Sequence, residues 1–206
     1  MRAFKIKRLF MSDSISWLGF TTSLLELVSF FLSVITVALT IRQIHWGWLF
    51  SIVSAALYAA VFFDAKLYGD MGLQVVFILV SIWGWWLWWR GDDESAPLVV
   101  TSLSFSQRLL SSFVWLVLFA ALFYFLKNYT DTDVPYADGF LTAGSLLGQF
   151  LLSRKKIENW LIWIVVDILY VGLYVYKNLQ LTALLYAVFV IMAVMGLRNW
   201  SKTCQQ

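Results

Sequence analysis

Residues 48–58 read WLFSIVSAALY and residues 160–170 read WLIWIVVDILY. The likeness extends outward. Laid without a gap, Trp48–Trp88 matches Trp160–Trp200 at a spacing of 112 residues, with 12 of 41 positions identical. The matches include Trp48/Trp160, Tyr58/Tyr170, Leu67/Leu179, Phe77/Phe189, Gly84/Gly196 and Trp88/Trp200. Apolar matches are common between any two greasy segments, but paired Trp, Tyr and Gly in one register mark a duplicated unit. A duplicated hydrophobic unit points to a transporter with its substrate between the halves.

Composition places the unit in a membrane. Of the 206 residues, 61% are hydrophobic and 13% charged, with mean hydropathy +0.78. The charges fall between long apolar runs, the pattern of a multi-span protein. The basic start, Met1–Met11, carries too short an apolar run for a cleavable signal peptide. A single cysteine, Cys204, excludes disulfides within the chain and cysteine metal sites. The net charge of +3 gives no reason to expect a nucleic-acid partner.

Seven spans are predicted: Ser16–Thr40, Trp46–Phe63, Tyr68–Trp88, Arg108–Leu126, Ala137–Ser153, Asn159–Tyr176 and Leu179–Asn199. Each must be helical, because backbone groups in lipid need partners within their own segment. The offset equates spans two and three with spans six and seven, and so span one with span five. The expected fold is an all-α integral membrane protein with a 3+1+3 plan. It has a first three-helix bundle over 16–90, a linker loop and linker helix over 91–127, and a second bundle over 137–200. Four spans separate a helix from its copy, so both copies face the same way as parallel repeats. The cluster Arg154-Lys155-Lys156 places the C-terminus in the cytoplasm.

At 100° per residue, the spans show polar stripes. In span six Asn159, Trp160, Trp163, Asp167, Tyr170 and Tyr174 share one face. In span five Asp138, Thr142, Ser145, Gln149 and Ser153 do so, and in span three Asp70, Gln74, Phe77 and Ser81. Thr182, Tyr186 and Phe189 align in span seven. Two bundles facing one another would enclose an aromatic, weakly acidic cavity suited to a flat, cationic heterocycle with a polar part. Substrate contacts are expected at Asn159, Trp163, Asp167, Tyr170, Gln149, Gln74, Trp48 and Tyr186. Glu26 and Asp167 are candidates for a proton or polar-network role. The bland readings are backbone bonding for single Ser and Thr residues, close packing for Gly144 and Gly148, and interfacial anchoring for Trp46, Trp83, Trp85, Trp86, Trp88, Trp89 and Trp200. No catalytic residue, metal site or cofactor is expected, since no nucleophile stands with a base and no ligand set is present.

Glu158-Asn159-Trp160-x-x-Trp163-Ile164, Tyr170-Val171-Gly172-Leu173-Tyr174-x-Tyr176-Lys177 and Ala183-Leu184-Leu185-Tyr186 resemble the PnuC family of bacterial vitamin transporters. Leu67-Tyr68-Gly69-Asp70 and Gly84-Trp85-Trp86-x-Trp88 supply the same likeness in the first copy. The resemblance implies a fold related to the SWEET sugar transporters and one central site. It also implies uptake of nicotinamide riboside by facilitated diffusion across a bacterial inner membrane, with trapping by a cytoplasmic riboside kinase. Thiamine or another vitamin or nucleoside is the alternative cargo, and a receptor that binds without transporting is the alternative class. A homo-oligomer is compatible with this plan.

Overall fold

The structure, a computed structural model, describes residues 15–17, 20–22, 24–64, 68–91, 97–177 and 180–204. Among them are seven α-helices and one short hairpin. The hairpin pairs β1 (Ile15–Trp17) with β2 (Phe20–Thr22), Trp17 opposite Phe20. The helices are α1 (Leu24–Ile41), α2 (Gly47–Asp64), α3 (Tyr68–Arg90), α4 (Phe105–Tyr129), α5 (Pro135–Ser153), α6 (Glu158–Tyr176) and α7 (Gln180–Ser201). The first span is thereby corrected. It begins at Leu24 rather than Ser16, because aromatic and β-branched residues up to Thr22 pair as strands instead of joining the helix.

Local chemistry sets several of these ends. Ser104 and Gln107 form a capping box: the Gln107 amide donates to Ser104 Oγ at 3.3 Å, and the Ser104 amide to Gln107 Oε1 at 3.0 Å. Pro135 opens α5, where a missing N–H costs nothing. By length and apolar composition α3, α4, α6 and α7 are each able to cross a membrane. The polar stripe of α5 makes it less apolar, yet it is the most deeply packed helix, while α4 has no buried residue.

Helix α1 packs on α2, α2 on α3, α3 on α5, α5 on α6, α6 on α7, and α7 back on α1. The six helices therefore close a ring, with α4 outside it against α5. The two seams between bundles, α3–α5 and α7–α1, are equivalent under the repeat. This is the 3+1+3 arrangement expected from the sequence.

The core lies where the C-terminal ends of α1, α3, α5 and α7 meet. Trp48 meets Trp88 edge-on at 5.4 Å, and Trp160 meets Trp200 edge-on at 5.3 Å. Trp88 and Trp200 lie 6.0 Å apart, joining the pairs. Trp88 and Trp200 thus serve as buried core, at 8% and 0% exposure, and not as the interfacial anchors their span-end positions suggest. Each outer indole is seated on the glycine of its own bundle. A Cβ on Gly84 would stand 2.6 Å from Trp48, and one on Gly196 would stand 2.6 Å from Trp160. The repeated glycines are therefore there to admit tryptophan. Gly144 and Gly148 likewise admit Trp115 of α4 and Trp163 of α6, so their packing role holds.

The linker closes over this end. Leu98, Val100 and Leu103 are buried, and Thr101 exchanges backbone bonds with Lys155 (3.2 Å) and Ile157 (3.0 Å). Glu158 Oε1 accepts the Leu103 amide at 2.9 Å and pairs with the Arg108 guanidinium at 3.1 Å.

Gly84→Ala should lower the melting temperature in detergent, in line with the roughly 1–3 kcal/mol of overpacking a tight core. Gly72→Ala, whose Cβ meets nothing within 4 Å, should not. Equal melting of the two variants would show that Trp48 is not wedged against Gly84.

Candidate functional site

Inside the ring, the middle of the membrane holds a polar and aromatic layer. Asp167 sits halfway along α6 and is only 3% exposed. No salt bridge to it is found among the described residues. A buried carboxylate in a transmembrane helix is kept only where it has a task, because lipid offers it no solvation. One turn on, Tyr170 stacks on Tyr174 (5.6 Å) and packs against Tyr186 of α7 at 4.7 Å. Tyr174 and Tyr186 lie 5.2 Å apart, and Phe189 meets Tyr186 edge-on at 5.6 Å. The Tyr170 hydroxyl faces Ser145 and Thr142 on α5. The result is an aromatic wall on α6 and α7, with a carboxylate at its edge and hydroxyls opposite.

A hydroxyl chain crosses the α3–α5 seam at the same depth. Ser51 of α2 and Ser81 of α3 are 3.1 Å apart, and Gln149 Nε2 donates to Ser81 Oγ at 3.4 Å. Gln149 spans the seam because Ser81 is fully buried beside it. Ser33 and Ser54 make a similar link between α1 and α2 at 3.1 Å. Ser145, Thr36 and Thr40 bond back to the carbonyls four residues earlier, as single hydroxyls in membrane helices commonly do.

Of the residues singled out in the sequence, Asp167, Tyr170 and Tyr186 come together, and Gln149 joins the serine chain. Gln74 is half-buried on α3, at the position equivalent to Tyr186. Trp163 is half-buried, its ring against Gly148 of α5. Trp48 and Asn159 lie elsewhere, at the C-terminal end of the ring. Trp48 belongs to the tryptophan core, and Asn159 is fully buried with Nδ2 donating to the Lys156 carbonyl at 2.6 Å. The Asn159 Oδ1, Trp48 Nε1 and Trp160 Nε1 atoms have no protein partner. The Glu26 and Asp70 side chains lie outside the described residues. Tyr174 shares the stripe with Asp167 and Tyr170 but is not among the expected contacts; Ser51 needed the fold.

Charged groups frame both ends. Lys177 bonds Asp133 at 3.1 Å, and this holds the Asp133 carboxyl below its ordinary range. At the other end Lys155 donates to the Leu98 carbonyl at 2.9 Å and to Gln43 Oε1 at 3.3 Å, with its ammonium 4.7 Å above the Trp88 ring. Burial lowers its pKa from 10.5 to about 8. No group of three or more metal-ligating side chains occurs among the described residues.

A ring of apolar helices around an aromatic, weakly acidic interior defines a multi-pass membrane transporter rather than an enzyme. The sequence model of the family described as "Nicotinamide mononucleotide transporter" matches residues 23–202, and the chain belongs to that family. It is 26% identical to the riboflavin/roseoflavin transporter RibM of Streptomyces davaonensis over 181 residues, covering 85% of this chain and 83% of the relative. It is 22% identical to the nicotinamide riboside transporter PnuC of Escherichia coli, covering 100% of this chain and 97% of the relative. Against PnuC of Neisseria mucosa the identity is 29%, over 76% of this chain and 64% of the relative. The crystal structure of the vitamin B3 transporter PnuC superposes with TM-score 0.73 at 26% identity, covering 98% of this chain and 87% of that one. The protein is a PnuC-family vitamin transporter.

The unfolded chain holds the Lys155 proton up to about pH 10.5, whereas the folded chain releases it near 8. Folding is therefore favoured as pH rises through that window. The melting temperature of the wild type should rise relative to Lys155→Met between pH 8 and 10; parallel profiles would show that Lys155 is not desolvated.

Proposed function

We propose that this protein takes up nicotinamide riboside by facilitated diffusion, through alternating access around one central site. The observation that carries the cargo is Asp167, a buried carboxylate beside the Tyr170–Tyr186 wall. The nicotinamide ring of the riboside is cationic and flat, and its ribose carries hydroxyls. A carboxylate and aromatic faces stabilise the ring, while Gln149, Ser145 and Thr142 supply donors and acceptors for the sugar. Trp163, Gln74 and Tyr186 complete the contacts in this reading, while Asn159 stays with the C-terminal end of the ring. Trp48 acts through the core rather than on the ligand.

Net uptake in this reading is sustained when a cytoplasmic kinase phosphorylates the riboside, since its phosphate dianion would face the Asp167 carboxylate. The basic residues Arg42, Arg90, Arg154, Arg198 and Lys202 collect at the end holding the C-terminus, which supports a cytoplasmic location for that end in a bacterial inner membrane. The second reading, riboflavin, is favoured by the 26% identity to a riboflavin carrier over 85% of the chain. Riboflavin is neutral, so the two readings place opposite demands on Asp167. Thiamine, also cationic, shares the first.

Calorimetry on the purified protein should show binding of nicotinamide riboside above thiamine, riboflavin, plain nicotinamide and the phosphorylated riboside. Tight riboflavin or thiamine binding, with none of the riboside, would move the protein to a sister branch. Asp167→Asn should weaken riboside binding by about tenfold or more while leaving a neutral flavin unaffected. Trp163→Ala should weaken it by roughly tenfold with normal membrane insertion; unchanged affinity would remove Trp163 from the site.

A further inference from the structure

The two seams of the ring are fastened in the same way. Trp88 Nε1 of α3 donates to the carbonyl of Ser153, the last residue of α5, at 3.1 Å. Trp200 Nε1 of α7 donates to the carbonyl of Ile41, the last residue of α1, at 3.2 Å. Donors and acceptors are equivalent at the 112-residue spacing. Both bonds run between bundles and neither within one.

The acceptors are free for a definable reason. After Ile41 the backbone turns through Gln43 at φ 58°, and after Ser153 through Lys155 at φ 49°. In the first turn the Gln43 amide bonds the Thr40 carbonyl at 2.9 Å and the Ile44 amide bonds Leu39 at 2.9 Å. In the second, Lys155 bonds Leu152 and Lys156 bonds Leu151, each at 2.9 Å. This is the Schellman pattern, which satisfies the carbonyls two and three places from the helix end and leaves the last one open. The opposing tryptophan takes it. Left-handed backbone at a residue other than glycine is strained by roughly 1–2 kcal/mol. Here the two strained residues are each other's partners, Lys155 Nζ donating to Gln43 Oε1 across the pseudo-two-fold axis. Strain of this kind persists where surroundings over-determine it, commonly at switches.

We propose that Trp88, Trp200 and their two carbonyl acceptors form a latch that closes the C-terminal end of the transport path, and that both bonds must break for that end to open. This rests on alternating access between the bundles. The Trp48–Gly84 and Trp160–Gly196 contacts lie inside the bundles and travel with them, so opening exchanges only the seam contacts. The released carbonyls are helix-end groups at the membrane edge, where water replaces the indole. Two interhelical bonds of this kind are weak enough to be reversed thermally.

The test reads access without any cargo, so a wrong cargo assignment would leave it intact. In a Cys204→Ser background, Ser81→Cys places a thiol in the buried middle layer. A small, membrane-impermeant thiosulfonate is applied from either face of oriented vesicles, with modification read by mass spectrometry. Trp88→Phe and Trp200→Phe remove the indole N–H and keep an aromatic ring. Each should speed labelling from the C-terminal face roughly threefold and the pair roughly eightfold, with no change from the other face. An unchanged rate, or equal rises from both faces, overturns the latch.

Discussion

The structure depends on two tryptophan indoles each finding a carbonyl that a helix cannot use. In lipid there is no hydrophobic gain in pressing one apolar helix against another, so the seams between bundles must be held by close packing and a few hydrogen bonds. The bonds from Trp88 to Ser153 and from Trp200 to Ile41 supply the polar part. The Trp88–Trp200 ring contact supplies the close packing, while Gly84 and Gly196 seat Trp48 and Trp160 within each bundle. Other features of that end are arranged around these four rings, including Leu98 and Val100 of the linker and the Lys155 ammonium above Trp88.

The two halves are alike at this end, and in the middle they share Tyr58/Tyr170 and Phe77/Phe189 but differ at several polar positions. Asp167 stands where the first copy has Ala55, Gln149 where it has Val37, Trp163 where it has Ser51, and Tyr186 where it has Gln74. The difference follows from what each level must do. Closing a ring at two seams needs the same contact twice. An organic vitamin has no two-fold symmetry, so the groups that face it need not be duplicated. Among the described residues, Asp167 and the Tyr170, Tyr174, Tyr186 and Phe189 rings lie on the second copy, with the first contributing the serine chain that meets Gln149.

The outer helix α4 makes the duplication workable. It adds the one crossing that returns the chain to the starting face, so that α5 enters in the same direction as α1. Its capping box fixes where it starts, and the Arg108–Glu158 pair ties that start to the second bundle. With no buried residue of its own it is a strap on the ring, fastened by Trp115 in the notch left by Gly144.

Much of this was legible in the chain alone. Hydropathy and the 112-residue offset determined the number of helices, their order and their parallel repeat, because span length and backbone satisfaction in lipid leave little choice. Helical phase placed Asp167, Tyr170 and Tyr186 on inward faces, since stripes of 100° per residue are local properties. The start of α1 escaped it, because strand pairing of Trp17 with Phe20 competes with the helix only once both are placed. The fate of the tryptophans escaped it too. A Trp at a span end is equally suited to the lipid headgroups and to a partner carbonyl, and sequence cannot say which is nearer. Only the closing of the ring set Trp88 and Trp200 against the ends of α5 and α1, and drew Trp48 away from Asp167 and the tyrosines.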